Sequence, residues 1–304
     1  MSSELFKTDS YQISLNGTNV MSGTDNAVYR YTFPSPIHFQ QAKVAVTTIN
    51  AFYSWYNIST ALENNSYSFT FTENGPTTTT YVVTMPDGYY SIPDMDTFLQ
   101  NFCITNGLYL VDAAGDYVYY VQIQENSAYY AVQLNSYAFP TALPAGWSNP
   151  ESLTFPATAS TTQFIIPATN FQNVIGFTAG TYPASIQATT QTALSDFTPQ
   201  VTPIQSLVLA CNLIDNRYSN PPSLLYPFST NGAIFGGLIE SAPNTLLYVD
   251  VNRGYYNHID IEFLDQAYNR VKLNDTNLIV QLAFLVDREH DPNDSKIHRV
   301  INGH

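Results

Sequence analysis

The chain has 304 residues and a mass of 33.9 kDa, enough for one large domain or a domain with a sizeable insertion. Only 11% of its residues are Asp, Glu, Lys or Arg, against about 25% in ordinary globular chains; 24 acids against 10 Lys and Arg leave a net charge of −14. The aromatic content of 14% excludes a disordered chain, the lack of a basic stripe excludes a nucleic-acid binder, and no apolar run of about 18 residues is present to span a membrane.

Period-two alternation dominates and predicts strands. Residues 27–33 place Ala27, Tyr29, Tyr31 and Phe33 on one face, with Pro34 and Pro36 expected to end the strand. Residues 42–53 form a second strand with Val44, Val46, Thr48 and Phe52 on one side. Asn64-Asn65 and Asn74-Gly75-Pro76 bracket a third at 66–72, and Thr79 to Met85 make a fourth. One helix follows. Ser91 caps it, Asp94 completes a capping-box spacing, and Pro93 is tolerated in the first turn. Ile92, Met95, Phe98, Leu99, Phe102 and Cys103 recur on one face, and Asn106-Gly107 stops the helix.

Strands resume at 108–112, 117–124 and 129–135, with hairpin turns between them. Residues 138–163 hold Pro140, Pro144, Pro150 and Pro156 among many Ser, Thr and Ala, and read as a surface loop outside the core. Short apolar pieces follow at 163–166 and 172–177. The last third returns to strands at 206–213, 246–251, 258–265 and 278–284; the last is apolar on both faces, which predicts a central, covered position. The first 25 residues read as a polar arm, in which Tyr11, Ile13 and Leu15 would suit an edge strand. Residues 287–304 read as a polar tail, either disordered or draped on a partner.

The fold class expected is all-β: a single jelly-roll sandwich with one short helix and a mainly β central insertion. The expected division assigns 1–86 and 201–304 to the jelly roll and 87–200 to an insertion that faces outward. An immunoglobulin-type sandwich is disfavoured, since the Cys…Trp…Cys spacing is absent.

Motifs for catalysis are weak. There is no Gly-x-Ser-x-Gly elbow, phosphate loop or His-Glu-x-x-His. His258, Asp260 and Glu262 alternate along one strand and share a face, which suits a metal site or a carboxylate pair. The plainer reading is the solvated or subunit-facing side of a strand whose other face is Ile259, Ile261 and Phe263. A cupin-like metalloenzyme would need several clustered His, and three of the five here fall in the tail. The tail spacing of His290, Asp291, Asp294 and His298 loosely permits a metal, but a charged terminus is more simply solvated. Cys211 and Cys103 sit in apolar runs, as buried free thiols do. The clusters Tyr53-Ser54-Trp55-Tyr56 and Tyr117 to Tyr130 suit cross-strand pairs, interface area or stacking on sugars. No catalytic residue, metal or cofactor is therefore assigned.

Between Lys43 and Arg217 lie 173 residues without Lys or Arg but with 11 acids. Such a surface is polar and uncharged, rich in Tyr, and suited to contact with other proteins. Residues 1–7 lack the basic-then-apolar form of a signal peptide, so synthesis in the cytosol is expected. The Asn57-Ile58-Ser59 sequon would then have no meaning.

Four blocks in order carry a resemblance. They are Met85-Pro86-Asp87-Gly88-Tyr89-Tyr90-Ser91-Ile92 before the helix; Val174-Ile175-Gly176-Phe177-Thr178-Ala179-Gly180; Ser206 to Ile214 with Ser223 to Phe228; and Leu246 to Val251, His258 to Gln266 and Asn274 to Asn277 before the closing strand. Over roughly 42–286 the chain resembles the penton, or minor capsid, proteins of virophages, Polintons and related double-jelly-roll viruses, most of all those of mavirus-type virophages. Its stretch 107–172 is longer than the family's compact pattern. The resemblance implies a structural protein without catalysis: a homopentamer that plugs the five-fold vertex of an icosahedral virion among double-jelly-roll major capsid proteins. It implies location in the virion, with a host receptor or glycan as a further partner; the acidic balance of the chain separately predicts no direct contact with nucleic acid. The competing reading is a viral spike or lectin-like β-sandwich that binds a receptor or glycan.

Overall fold

In the computed structural model, residues 8–74 and 77–287 are described. The expected tail, with His290, Asp291, Asp294 and His298, and the expected Gly75-Pro76 turn lie outside them. The chain runs through β1 (Thr8–Asn16), β2 (Val28–Phe39), β3 (Ala42–Phe52), β4 (Ser66–Asn74), β5 (Thr77–Thr84) and helix α1 (Ile92–Thr105). Short strands follow: β6 (Tyr109–Val111), β7 (Tyr117–Tyr119), β8 (Val121–Asn126), β9 (Ala131–Ser136), β10 (Ala138–Phe139), β11 (Ser160–Thr161) and β12 (Gln163–Ile166). Helix α2 (Phe171–Ile175), β13 (Gly180–Tyr182) and β14 (Gln191–Leu194) come next. The chain ends with β15 (Ser206–Cys211), β16 (Leu224–Ser229), β17 (Leu238–Ser241), β18 (Val249–Asp250), β19 (Gly254–Asp265) and β20 (Ile279–Asp287). The class is all-β.

Two compact units divide the chain: Met1–Trp55 with Ile204–His304, and Tyr56–Pro203. The division falls after Trp55, where alternation alone had suggested 86. The reason lies in pairing. Strand β4 bonds to β5 and β12, all within the second unit, so 66–84 has its hydrogen-bond partners there.

The first unit is a jelly roll, and its winding follows from the pairings. Strand β1 pairs with β20, β2 with β19, β3 with β17, and β15 with β16, each antiparallel. The chain is thus one long nested hairpin. Rolling it brings β20 against β3 and β19 against β15, giving two sheets ordered β1-β20-β3-β17 and β16-β15-β19-β2. Their inward residues make the core: Val44, Val46, Ile49, Val280, Leu282 and Phe284 from one sheet, Tyr29, Leu207, Leu209, Ile259, Ile261 and Phe263 from the other. Phe39 stacks on Phe284 at 5.9 Å, and Tyr29 meets Phe263 edge-on at 5.8 Å. The doubly apolar β20 is central, between β1 and β3, but its outer face is not covered, since Ile279 is exposed there; β1 is the edge strand that Tyr11, Ile13 and Leu15 suit.

Two local expectations fail for identifiable reasons. Strand β2 does not end at Pro34. It runs to Phe39 because it is an edge strand, and because Phe33-Pro34-Ser35-Pro36 lies across from Asn257 alone, in a register break between Thr32–His258 and Ile37–Tyr256. Proline lacks a ladder donor, and edges and bulges are where that costs little. In β3, Phe52 and Thr48 do not share the inward face with Val46. The β3–β20 register slips at Thr47, the phase inverts, and Ile49 and Ala51 turn inward while Phe52 turns out.

The second unit holds a sheet ordered β13-β12-β4-β5, a sheet ordered β14-β9-β8, and the ribbons β6-β7 and β10-β11. The predicted helix forms with its capping box intact: Ser91 accepts from Asp94 N–H and Asp94 accepts from Ser91 N–H. Ile92, Met95, Leu99 and Cys103 bury one face in a core with Tyr67, Phe69, Phe71, Val121, Ile123 and Phe164. Residues 138–163 are not merely surface. Phe139 is fully buried, stacked on Phe155 at 5.4 Å and touching Phe71 and Tyr120. A polar knot closes the unit's ends. Asn57 is buried; its Nδ2 donates to Tyr90 O (2.7 Å) and Val201 O (2.8 Å), and its Oδ1 accepts from Tyr90 N–H (2.8 Å). The Asn57 sequon is thereby unavailable to a glycan in the folded unit.

Candidate functional site

The alternation of β19 puts His258, Asp260 and Glu262 on one face, with Ile259, Ile261 and Phe263 buried behind. In register opposite Asp260 stands Arg30 of β2. Its Nε and Nη2 reach Asp260 Oδ1 and Oδ2 at 2.7 Å each, a bidentate fork. Hydrogen bonding to Asp260 raises the Arg30 pKa. Arg270 donates through Nε to Glu262 Oε1 at 2.7 Å. His258 Nε2 lies 3.6 Å from Asp260 Oδ2. Both carboxylates are therefore spent on arginines, an ion ladder across a sheet face, with no converging lone pairs. Among the described residues no three His, Cys, Asp or Glu side chains are grouped to share an ion.

The two cysteines are free and buried. Burial pushes both thiols up to about 12, so neither carries thiolate at neutral pH. No described helix is long and apolar enough to cross a membrane.

Aromatic clusters divide by burial. Tyr53 and Trp55 are buried and pack at 4.3 Å, so they are core. Tyr120 is also core. Tyr117, Tyr129 and Tyr130 are exposed, the last two at the β8–β9 turn, where Tyr130 has a left-handed φ of 50°. In the second unit a cleft of about 510 Å³ opens along β7 and β8, lined by aromatic rings and side-chain amides. In the first unit, the outer face of the β1-β20-β3-β17 sheet carries Phe52, Leu238 and Ile279, all exposed, with Phe52 and Leu238 directly paired. Ile234 and Phe235, also exposed, sit in the loop before β17. Only the Tyr117 to Tyr130 cluster was visible in sequence. The apolar patch was not, because the slip at Thr47 had to be known before Phe52 could be placed outside.

Among solved structures the chain is similar to the mavirus penton protein, in a crystal structure of its selenomethionine-labelled form, with a TM-score of 0.42, 12% sequence identity, and coverage of 92% of this chain and 98% of that one. No family model matches the chain, and no curated protein matches it.

Proposed function

We propose that the chain is a structural capsid subunit that forms a homopentamer at the five-fold vertex of an icosahedral virion, beside double-jelly-roll major capsid proteins. The observation that carries this reading is the exposed apolar cluster of Phe52, Leu238 and Ile279 on the outer face of a jelly-roll sheet, with Asn50 between them and Glu240 as the charge beside it. Exposed apolar clusters of this kind mark contact surfaces, and a contact that repeats under a fixed rotation closes a ring. A contact surface with few charges keeps the cost of desolvating them low, which suits a chain this poor in ionisable groups. The four resemblance blocks fall on structural junctions. The first leads into the α1 cap. The second covers the end of α2 and its C-cap, where Gly176 has φ +77° and an added Cβ would stand 2.3 Å from Phe197 O. The third is β15 with β16, and the fourth runs through β18 and β19. The terminal segments are the grips on neighbouring capsomers, and the second unit faces the medium.

The test is Leu238→Asp, alone and with Phe52→Asp, in full-length protein co-expressed with the major capsid protein. Leu238 is about half exposed and Phe52 about a third, so Leu238→Asp alone is the gentler variant and a thermal melt checks the fold of both. Loss of vertex incorporation with an unchanged circular dichroism spectrum supports the patch as the contact. Wild-type incorporation by the double variant refutes it.

A further inference from the structure

We propose that the cleft along β7 and β8 is a binding site for an uncharged oligosaccharide. This stands apart from the vertex reading, since it concerns the second unit alone.

The volume, about 510 Å³, lies within the roughly 300–1,000 Å³ typical of ligand sites. Its walls combine two chemistries. Tyr117, Tyr119, Tyr137 and Trp147 supply aromatic surface, and Gln100 and Gln122 supply side-chain amides. A pyranose offers the matching pair, a face of C–H bonds that packs on a ring and a rim of hydroxyls that bond to amides.

The amides are held in place before any ligand arrives. Gln100 lies one helical turn after Asp96 on α1 and donates through Nε2 to Asp96 Oδ2 at 2.7 Å. Gln122 also bonds to Asp96. Its Oε1 accepts from Tyr137 Oη at 2.7 Å and from Asn135 Nδ2 at 3.0 Å. Asp96 Oδ1 in turn accepts from Ile123 N–H at 2.9 Å. This network ties α1, β8 and β9 into one floor. Groups fixed in advance lose little freedom on binding, which is how a shallow polar site gains affinity.

Charge narrows the ligand. No charged side chain lines the cleft. The unit that holds it, 56–203, contains no Lys, Arg or His and ten acids. Sialylated or sulfated glycans would meet a negative field with no cation to pair with. Neutral glycans would not. An extended peptide fits less well. It would bind by adding to a strand edge, and on the outer side of β8 the Ile123 N–H is already taken by Asp96.

The experiment applies full-length protein to a printed array of neutral and acidic glycans. Hits are then titrated in solution by tryptophan fluorescence. Trp147 lines the cleft, and the other tryptophan, Trp55, is buried in the first unit. A proline-rich peptide is titrated in parallel. The expected result is saturable binding of a neutral glycan, weakened at least tenfold in Tyr117→Ala and at least tenfold for its sialylated form. Tyr117 is half-exposed, so this variant keeps the fold, checked by its thermal melt. The proposal is overturned by an array with no neutral hit, by equal binding in Tyr117→Ala, or by preference for the peptide.

Discussion

Asn57 is the most informative single position for stability. It makes three hydrogen bonds from a side chain that is 2% exposed. They join residues 57, 90 and 201, so they hold together segments far apart in sequence. Asn57→Ala strands two carbonyl acceptors and one N–H donor in a largely buried site. At about 1 kcal/mol or slightly more for each bond lost from such a site, the unit should lose about 3–4 kcal/mol. That is two to three powers of ten in its opening equilibrium, at about 1.4 kcal/mol per tenfold. Amide hydrogen exchange read by mass spectrometry is the assay. Peptides from α1 and β4 report the second unit, and peptides from β19 and β20 report the jelly roll separately. Asn57→Asp sharpens the test. It keeps the shape but sets a buried carboxylate against Tyr90 O and Val201 O, which raises its folded pKa above the ordinary carboxylate value. The variant should therefore be least stable at neutral pH. It should regain stability as pH falls from that raised folded pKa to the unfolded value of about 4. Exchange in α1 and β4 accelerated less than tenfold by Asn57→Ala, or an Asn57→Asp protein whose stability is flat with pH, would refute the reasoning.

Three further outcomes follow from the same structure. Phe139→Ala should cost the second unit about 3–5 kcal/mol, since the ring fills space between Phe71, Tyr120 and Phe155; a loss below 1 kcal/mol in denaturant titration would mean the segment is surface after all. Ser91→Ala should destabilise by about 1 kcal/mol at neutral pH. Hydrogen bonds from Ser91 hold Asp94 below the ordinary carboxylate range, so their contribution is complete above the unfolded pKa and lost as pH falls through the folded one; the wild-type–variant difference should shrink with acidification. Neither Cys103 nor Cys211 should react with an aromatic disulfide reagent in native protein at pH 8, because burial pushes both thiols up to about 12, and both should react in denaturant.

Legibility tracked the range of the interaction responsible. The α1 cap was readable because Ser91 and Asp94 are three residues apart and satisfy each other. The inward face of β19 was readable because burial on one face writes itself into alternation, and the apolar run of β20 placed it centrally, although its outer face is not covered. What failed depended on partners elsewhere in the chain. Strand β4 has ordinary alternation, and nothing in it reveals that β12 is its neighbour beside β5. The slip at Thr47 belongs to the β3–β20 pair rather than to either sequence. Pro34 and Pro36 end an isolated strand, but they are tolerated at an edge that only the sheet order reveals. Phe139 lies among prolines with no period to announce it. The cleft was half visible: the tyrosines of β7 and β8 stood out, while Gln100, Trp147 and the fixing carboxylate of Asp96 come from separate segments.

The central proposal is that this chain closes a ring of five. Native mass spectrometry of the full-length protein, alone and with the major capsid protein, tests it most directly. The account predicts a species of five times 33.9 kDa that Leu238→Asp dissolves to monomer. A monomer, dimer or trimer under both conditions would contradict it.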